Sequence, residues 1–383
     1  MALTGKNRPY NEAMASNRAV GRSSKSPGSG RRKASVLIGI FLLIIAIAGI
    51  VIGRDGENKQ KLDALVDSVK PAGEPVEVSL LVGSEKRDFL GDARVIEAFR
   101  DAGFAISVHT MGSLEMAERV RDGSLPLHDF YFPASSGNEE LRGFVDGSVS
   151  QQAYLQSNIA IVARRDVAED LAAQGYVERA EQNFQAEPAT LLQLFTSGQR
   201  WREVTQSYQS PLAVGVQTSD PTRSFSSSQF AYLMAHALSD GNLDTPAAIA
   251  EAAGQVQPIF QSQGLTEGSS GDSFNQFIAS NGQGIPMTVA YDSQFFALAL
   301  RQPERAQEFA LINLVPTVNI EHELIAHESA PQAEEFFEVL KDNRQVQQTL
   351  AEYGFAAPPL QSIVPAPPLE KTTALAEELE RLM

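Results

Sequence analysis

The chain has 383 residues and a mass of 41.4 kDa, and its 31 basic and 47 acidic side chains give a formal charge of −16. It contains no Cys, which excludes disulfides, cysteine nucleophiles, thiolate zinc sites, iron–sulfur clusters and a lipid anchor on an N-terminal Cys. The hydrophobic content of 43% predicts a real core, and the length predicts about two domains of ~150 residues each.

The charge is divided unequally along the chain. Residues 1–34 hold eight Lys and Arg and a single acid, Glu12, so their local charge is +7 and the remainder carries −23. Residues 1–33 are rich in Asn, Ser, Gly and Arg, the composition of a disordered tail. The acidic remainder argues against nucleic acid as a partner, because phosphate contact needs clustered Lys and Arg.

An uncharged stretch of 20 residues, Ala34 to Gly53, follows the basic head. A helix of that length at ~1.5 Å per residue spans ~30 Å, the thickness of the hydrocarbon core, so residues 34–53 are predicted to form a transmembrane helix. A cleaved signal peptide is the alternative, since Ala46 and Ala48 form a small-x-small site, but the apolar region of a signal is usually only ~7–15 residues. The basic flank predicts a single-pass protein of the cell membrane, with a cytoplasmic N-terminus and an extracytoplasmic C-terminal domain.

Residues 54–75 are polar and predict a stalk. Beyond it strands and helices alternate, a pattern typical of parallel βαβ units and therefore of an α/β layer fold. The predicted strands lie at 76–82, 105–109, 128–132, 158–163, 211–217, 285–291, 311–318 and 324–327. The predicted helices lie around 95–99 and at 113–121, 189–203, 224–238, 246–254, 273–280, 293–300, 331–341, 344–353 and 368–383.

Small residues follow each of the first three predicted strands and open the next helix. These turns are Gly83-Ser84-Glu85-Lys86, Met111-Gly112-Ser113 and Ala134-Ser135-Ser136-Gly137. In open α/β sheets ligands bind at the carboxyl ends of the strands, and hydroxyl groups beside free helix N–H groups form a cradle for an anion. Ordinary N-capping by Ser is the alternative.

The segment from Thr218 to Ser228 is the strongest local signal, because it joins a predicted strand to a predicted helix. Arg223 can form paired hydrogen bonds with a carboxylate or an oxyanion, and Thr222, Ser224 and Ser226 can donate beside it. A Ser-rich surface loop, with Arg223 paired to a nearby acid, is the alternative.

Signals for catalysis are weak. Gly268 to Ser273 is either a fourth anion cradle or a flexible loop, and it lacks the Gly-Lys-Ser/Thr ending of a nucleotide-hydrolysing phosphate loop. His322 and His327 resemble a zinc-protease motif that is one residue too long, so the two rings would stand ~140° apart on a helix and on opposite faces of a strand. No catalytic residue, metal or cofactor is predicted, and the chain is expected not to be an enzyme.

Together these motifs resemble the extracellular solute-binding proteins with the type 2 periplasmic-binding fold, of which the phosphate and molybdate binders are the nearest well-known members. The resemblance covers about residues 75–357. The residues that carry it are Gly83 to Lys86, Gly112-Ser113, Asp220 to Ser224, Pro286 to Asp292, Gln347 and Tyr353-Gly354-Phe355. It implies two α/β lobes, joined by two crossing segments, that close over a ligand in a cleft lined by helix N-termini.

The resemblance also implies how the chain is divided. Residues 76–160 and 291–357 would form lobe one, 161–290 lobe two, and 358–383 a Pro-rich and helical C-terminal tail. The ligand-binding residues that it implies are Ser84, Lys86, Ser113, Ser135, Thr222, Arg223, Ser224 and Tyr291.

The expected function is that of a membrane-anchored solute-binding-like protein, which takes a small anionic ligand for uptake or sensing and works with a permease or an envelope protein. The alternative is an envelope scaffold or interaction protein with a degenerate binding fold. Two features depart from the family. The family is normally secreted free or lipid-anchored, and in many relatives the Arg is followed by Ser-x-Ser-Gly. Here Ser226, Ser227 and Ser228 occur without the Gly that lets a backbone approach a ligand closely.

Overall fold

The computed structural model describes residues 74–134, 155–239, 241–261, 263, 267–355, 363–365 and 367–383. The predicted tail, the predicted transmembrane helix and nearly all of the predicted stalk therefore lie outside the described residues. Among the helices that the structure does describe, none is both long enough and apolar enough to cross a membrane.

The elements of the described part are numbered in chain order. The strands are β1 (Val76–Val82), β2 (Phe104–Thr110), β3 (Phe130–Phe132), β4 (Leu155–Arg164), β5 (Glu178–Ala180), β6 (Asn183–Ala186), β7 (Met287–Tyr291), β8 (Phe309–Leu314), β9 (Thr317–His322), β10 (Ile325–Ala326) and β11 (Ile363–Val364). The helices are α1 (Arg87–Leu90), α2 (Ala93–Asp101), α3 (Ser113–Arg121), α4 (Arg165–Ala173), α5 (Pro188–Thr196), α6 (Trp201–Val204), α7 (Phe225–Leu238), α8 (Pro246–Gln261), α9 (Ser270–Ser280), α10 (Asp292–Arg301), α11 (Pro303–Ala306), α12 (Ala333–Asp342), α13 (Arg344–Glu352) and α14 (Leu369–Leu382).

The sheet of the first lobe has the strand order β10-β3-β1-β2. β1 pairs in parallel with both β2 and β3, as the alternating pattern predicts. Alternate residues of β1 (Val78, Leu80 and Val82) face one buried cluster, and Leu81 faces a second cluster on the other side. Since helices cover both faces of a parallel sheet, its central strand is apolar on both sides.

An aromatic cluster holds the first lobe together. The ring of Phe336, on α12, stacks on that of Phe130 at 4.2 Å between centroids and lies 4.6 Å from that of Phe99, on α2. Phe104 meets the same ring edge-on at 5.3 Å. The return of the chain after residue 291 thus completes the core of the lobe that β1 begins.

The larger sheet has the order β11-β9-β4-β8-β6-β5, with β7 also paired to β4. Leu155 to Asn158 of β4 pair with β9, whereas Ile159 to Ala163 lie between β7 and β8. All three of these partners are antiparallel to β4, so the sheet is mixed and the parallel arrangement predicted for the whole chain is wrong here. The reason is that the chain crosses between the lobes along β4 and returns in the opposite direction along β9.

Three predictions for the second lobe are also corrected. Residues 211–217 form no strand, because Leu212 and Val214 bond to Trp201 and Gln199, around the start of α6, and only Gln217 pairs with β7. The helix predicted at 189–203 is broken at Gly198, which has a φ of +73°. The apolar strand predicted at 158–163 extends over the ten residues of β4.

The end of the chain packs on the second lobe. Leu375 and Leu379 of α14 are buried in the large cluster that also contains the apolar faces of α7 and α8. β11 pairs in parallel with β9. The helix predicted in the C-terminal tail is therefore part of the core of this lobe.

Candidate functional site

A small chamber lies where the two lobes meet, at the ends of β1 and β2. Its volume is about 200 Å³. Its lining residues include Ser84, Gly112 and Glu115 from the first lobe and Arg223, Gly268, Ser269 and Asp272 from the second. Ser84 and Gly112 follow β1 and β2 directly, so this chamber lies at the carboxyl ends of these strands, where ligands bind in open α/β sheets.

Glycines allow the two lobes to touch beside this chamber. Ser84 Oγ accepts a hydrogen bond from the Gly271 N–H at 3.0 Å. A Cβ atom on Gly271 would lie 2.7 Å from the Cβ of Ser84, and one on Gly112 would lie 2.8 Å from the carbonyl oxygen of Arg223. A real Cβ atom does not approach another atom this closely, so a residue larger than glycine would not fit at either position. The backbone of each glycine therefore lies in direct contact with the other lobe.

Arg223 is the charged donor of the small chamber. Its side chain is 54% exposed, and Nη2 lies 3.4 Å from Oε2 of Glu115. Arg223 shares Glu115 with Arg119, because Oε1 of Glu115 accepts a hydrogen bond from Arg119 Nη2 at 2.9 Å. A Cβ on Gly268 would lie 3.1 Å from Cζ of Arg223, so the absence of a side chain there lets the guanidinium lie against the loop. Arg223 thus keeps donors that point to solvent.

The hydroxyl groups beside Arg223 already have partners inside the protein. Thr222 Oγ1 donates to Asp220 Oδ1 at 2.7 Å. Ser224 Oγ accepts from Ser219 Oγ at 2.7 Å and is buried. These contacts shape the turn that opens α7, so neither side chain is free to meet a ligand in this arrangement.

The first-lobe serines have different surroundings. Ser84 lines the small chamber and contacts Gly271, as described above. Ser113, at the start of α3, is buried, and its Oγ accepts from the Ala134 N–H at 2.8 Å. Ser135 lies outside the described residues.

Lys86 is fully buried in a charged cluster that the sequence did not predict. Its Nζ forms an ion pair with Oε1 of Glu85 and lies 2.9 Å from Nδ1 of His322. Because an ammonium group donates and cannot accept, Nδ1 is the acceptor and the ring proton sits on Nε2. That Nε2–H donates to Ser157 Oγ at 2.7 Å. The cluster therefore joins the turn after β1 to both crossing strands, β4 and β9.

The pKa values in this cluster follow from burial and from the ion pair. Burial by itself raises the pKa of Glu85, but the Lys86 charge outweighs it and lowers the value to about 2. Burial lowers the pKa of Lys86, and the Glu85 carboxylate opposes that effect. Burial and the nearby Lys86 charge lower the pKa of His322 to about 4. The Glu85 carboxylate is thus the countercharge of the Lys86 ammonium, and at neutral pH His322 lies beside this ion pair as a neutral imidazole.

Tyr291 lies next to this cluster, with its ring 5.8 Å from that of His322, and is buried. Burial, together with the Glu85 charge, raises its pKa well above the ordinary value. The next residue, Asp292, accepts from the N–H and Nδ2 of Asn158 at 3.0 and 2.8 Å. Burial raises the pKa of Asp292 to about 6. These contacts tie α10 to β4 at the crossing point.

The structure thus separates the residues that the sequence grouped together. Ser84 and Arg223 line one chamber, whereas Lys86 and Tyr291 lie in the buried cluster behind it. Ligand binding by these residues stays a prediction.

The sequence does not indicate Glu85 and His322 as partners of Lys86. Glu85 is adjacent to Lys86 in the turn after β1, but His322 lies 236 residues away, and no local pattern links the two positions. In the part of the chain that the structure covers, no group of three or more His, Asp or Glu could hold a metal ion.

Comparison with known proteins identifies the fold. No protein-family model and no curated protein matches the chain. Among solved structures, a protein named as a spermidine/putrescine ABC transporter from Listeria monocytogenes aligns with a TM-score of 0.51 at 11% identity, over 80% of this chain and 99% of the other. The chain has a type 2 periplasmic-binding fold.

Two further structures are similar at lower scores. The sulfate-binding protein SubI from Mycobacterium tuberculosis aligns at 16% identity with a TM-score of 0.48, over 80% of this chain and 91% of the other. An H2O2-bound OxyR mutant from Corynebacterium glutamicum aligns at 15% identity with a TM-score of 0.43, over 77% and 74%. At these identities the likeness concerns the fold and not the ligand.

The buried ion pair between Lys86 and Glu85 allows a test of the role of Lys86. Lys86→Met would leave the Glu85 carboxylate buried without its countercharge, and we expect a loss of about 3–5 kcal/mol in unfolding free energy, measured by denaturant titration. Lys371→Met removes the ion pair with Asp244 at the protein surface, where solvent screens the charges, and should cost much less. The double variant Glu85→Gln/Lys86→Met should recover most of the loss. An equal cost for the two single variants would contradict the buried pair.

The depressed pKa of His322 predicts a pH dependence. Between pH 6.5 and about 4 the unfolded chain carries a proton at this position and the folded chain does not. Stability due to His322 is therefore present above pH 6.5 and is lost as pH falls, by about 1.4 kcal/mol per unit. Asp292, whose pKa is raised, changes stability in the opposite direction over about pH 4–6.

The His322 contribution is isolated by subtracting the curve of His322→Asn from that of the wild type. The difference in unfolding free energy should rise by about 1.4 kcal/mol per pH unit from pH 4 to 6.5. A flat difference for His322→Asn would refute the neutral buried imidazole.

Proposed function

We propose that this protein binds a small anionic solute in the chamber between its lobes and does not catalyse a reaction. The observation that carries the proposal is Arg223. Its guanidinium reaches into a chamber bounded by both lobes, and more than half of its side chain is exposed. A guanidinium can pair with two oxygens of a carboxylate or a tetrahedral oxyanion, which suits a ligand that bridges two lobes.

The chamber limits the size of the ligand. Its volume of about 200 Å³ lies below the ~300–1,000 Å³ of sites for drug-sized molecules, so a compact oxyanion or short carboxylate fits best. Glu115 and Asp272 also line it, but Glu115 bonds to Arg119 and Asp272 accepts from Ser269 Oγ at 2.8 Å. The acidic body repels anions at long range, so affinity would rest on local donors.

Binding can be tested on the full chain in mild detergent with phosphate, sulfate, molybdate and short carboxylates. A ligand present at 100 times its Kd should raise the unfolding free energy by about 2.7 kcal/mol, seen as a rise in Tm. Arg223→Ala should remove the rise, whereas Arg202→Ala, an equal change of charge at an exposed position on α6, should keep it. No rise with any of these anions, or an equal rise in Arg223→Ala, would exclude this function.

A second candidate function is that of an envelope scaffold or interaction protein. The observation in its favour is that the hydroxyls of Ser84, Ser113, Thr222 and Ser224 are engaged by the protein itself, with the lobes already in contact. A cleft filled in this way needs no ligand to stay closed. The ligand screen separates the two functions, because a scaffold should show no rise in Tm with any anion.

We further propose that residues 34–53 anchor the protein in the cell membrane, with the binding fold outside and a permease or envelope protein as its partner. The support is the basic head before an apolar stretch long enough to span the bilayer. Protease added to intact cells should then remove residues beyond about 60, while an N-terminal epitope stays protected until the cells are permeabilised. Protection of the C-terminal domain in intact cells would refute this orientation.

A further inference from the structure

The contact between Ser84 and Gly271 divides the space between the lobes into two chambers. On one side lies the small chamber with Arg223. On the other lies a larger cavity of about 550 Å³, which also has Ser84 and Gly271 at its edge. We call it the arginine chamber, and besides Ser84 its polar lining comprises Glu85, Arg87, Asp88, Asn275, Gln294, Arg301, Gln302 and Arg305.

The arginine chamber has a positive charge that the protein leaves uncompensated. Arg87, at the start of α1, is exposed, and its guanidinium makes no hydrogen bond or ion pair with any residue of the described ranges. Arg301, on α10, pairs with Asp88, on α1, and remains 53% exposed. The guanidinium of Arg305 donates hydrogen bonds to the carboxylate of Glu308 and to the carbonyl oxygen of Ile278. An unpaired guanidinium that faces a cavity favours an anionic group, because it offers a local positive charge and free donors.

The wall opposite these charges is apolar. Phe274 and Leu298 belong to one buried cluster of the second lobe, and Ala297, on the same helix as Leu298, belongs to the core of the first. All three line the cavity, together with Ile278. The amides of Asn275 and Gln302 also line it and make no side-chain hydrogen bond within the part of the chain that the structure covers. The cavity therefore pairs a cationic rim with an apolar wall and spare amide groups.

We propose that the arginine chamber binds a small carboxylate that carries an apolar body. The carboxylate lies on Arg87, within reach of Arg301, and the apolar body packs on Phe274 and Leu298. The volume of about 550 Å³ falls in the usual range for small-molecule sites. Because Arg87 lies on the first lobe and Phe274 on α9 of the second, such a ligand joins the lobes at a second place, independent of Arg223.

The test uses benzoate, titrated into the full chain in mild detergent by calorimetry, with two comparison compounds. Benzylamine has the same ring and the opposite charge, and inorganic phosphate has charge without an apolar body. We expect benzoate to bind and the other two to bind at least about tenfold more weakly at this site. Benzylamine affinity equal to that of benzoate, or phosphate binding that is tighter and depends on Arg87, overturns the proposal.

Variants locate the site. Arg87→Ala should weaken benzoate at least about tenfold, since a hydrogen-bonded charge is lost, and the exposed, unpaired side chain can be removed without loss of folding. Arg344→Ala is the charge-matched control at another exposed position and should bind benzoate as the wild type does. Equal affinity in the two variants overturns the proposal.

Arg223→Ala separates this inference from the proposed solute site. Benzoate binding that is lost in Arg223→Ala and kept in Arg87→Ala would place benzoate in the small chamber, which overturns the second site. Loss of oxyanion binding in Arg223→Ala together with loss of benzoate binding in Arg87→Ala supports both sites separately.

Discussion

The buried contact among Glu85, Lys86 and His322 fixes how the two lobes meet. Burial of an unpaired carboxylate or ammonium costs several kcal/mol, so these groups are stable only when they lie together. Two of them follow β1 and the third ends β9, which makes the turn of the first lobe and the returning strand parts of one joint. Ser157, on the outgoing strand, completes it. The position of Ser84, directly before this pair, follows from that joint.

The place of Ser84 in turn divides the space between the lobes. Its contact with Gly271 separates a small chamber that contains Arg223 from a larger one that contains Arg87. Most hydroxyl groups near the cleft bond within the protein, and Lys86 is neutralised by Glu85. Among the described residues that line the two chambers, Arg223 in one and Arg87 and Arg301 in the other keep exposed side chains for a ligand. The functional proposals for this fold therefore rest on charge that the protein does not satisfy internally.

Much of the fold was predictable because its signals are local. The apolar run of β1, the i, i+3, i+4 spacing of Val95, Ala98 and Phe99, and the left-handed Gly354 that ends α13 each depend on a few neighbouring residues. The predictions that the structure corrects also have a common cause, which is dependence on contacts between distant parts of the chain. The 211–217 segment has the composition of a strand, but its backbone bonds go to residues around the start of α6. The antiparallel direction of β4 relative to its partner strands depends on where the chain crosses between the lobes, and no local sequence pattern indicates that crossing.

The sequence by itself determined the alternating α/β order, the basic head before an apolar stretch, and the small residues that follow the strands, because composition and periodicity act over short ranges. Tertiary structure alone decided which polar residues are free. Lys86 and Arg223 look equally suited to an anion in the sequence, yet one is buried against Glu85 and the other is half exposed. The difference arises because the pair of Lys86 with Glu85 is closed off from solvent, whereas the contact of Arg223 with Glu115 leaves more than half of its side chain exposed, and burial is decided only on folding.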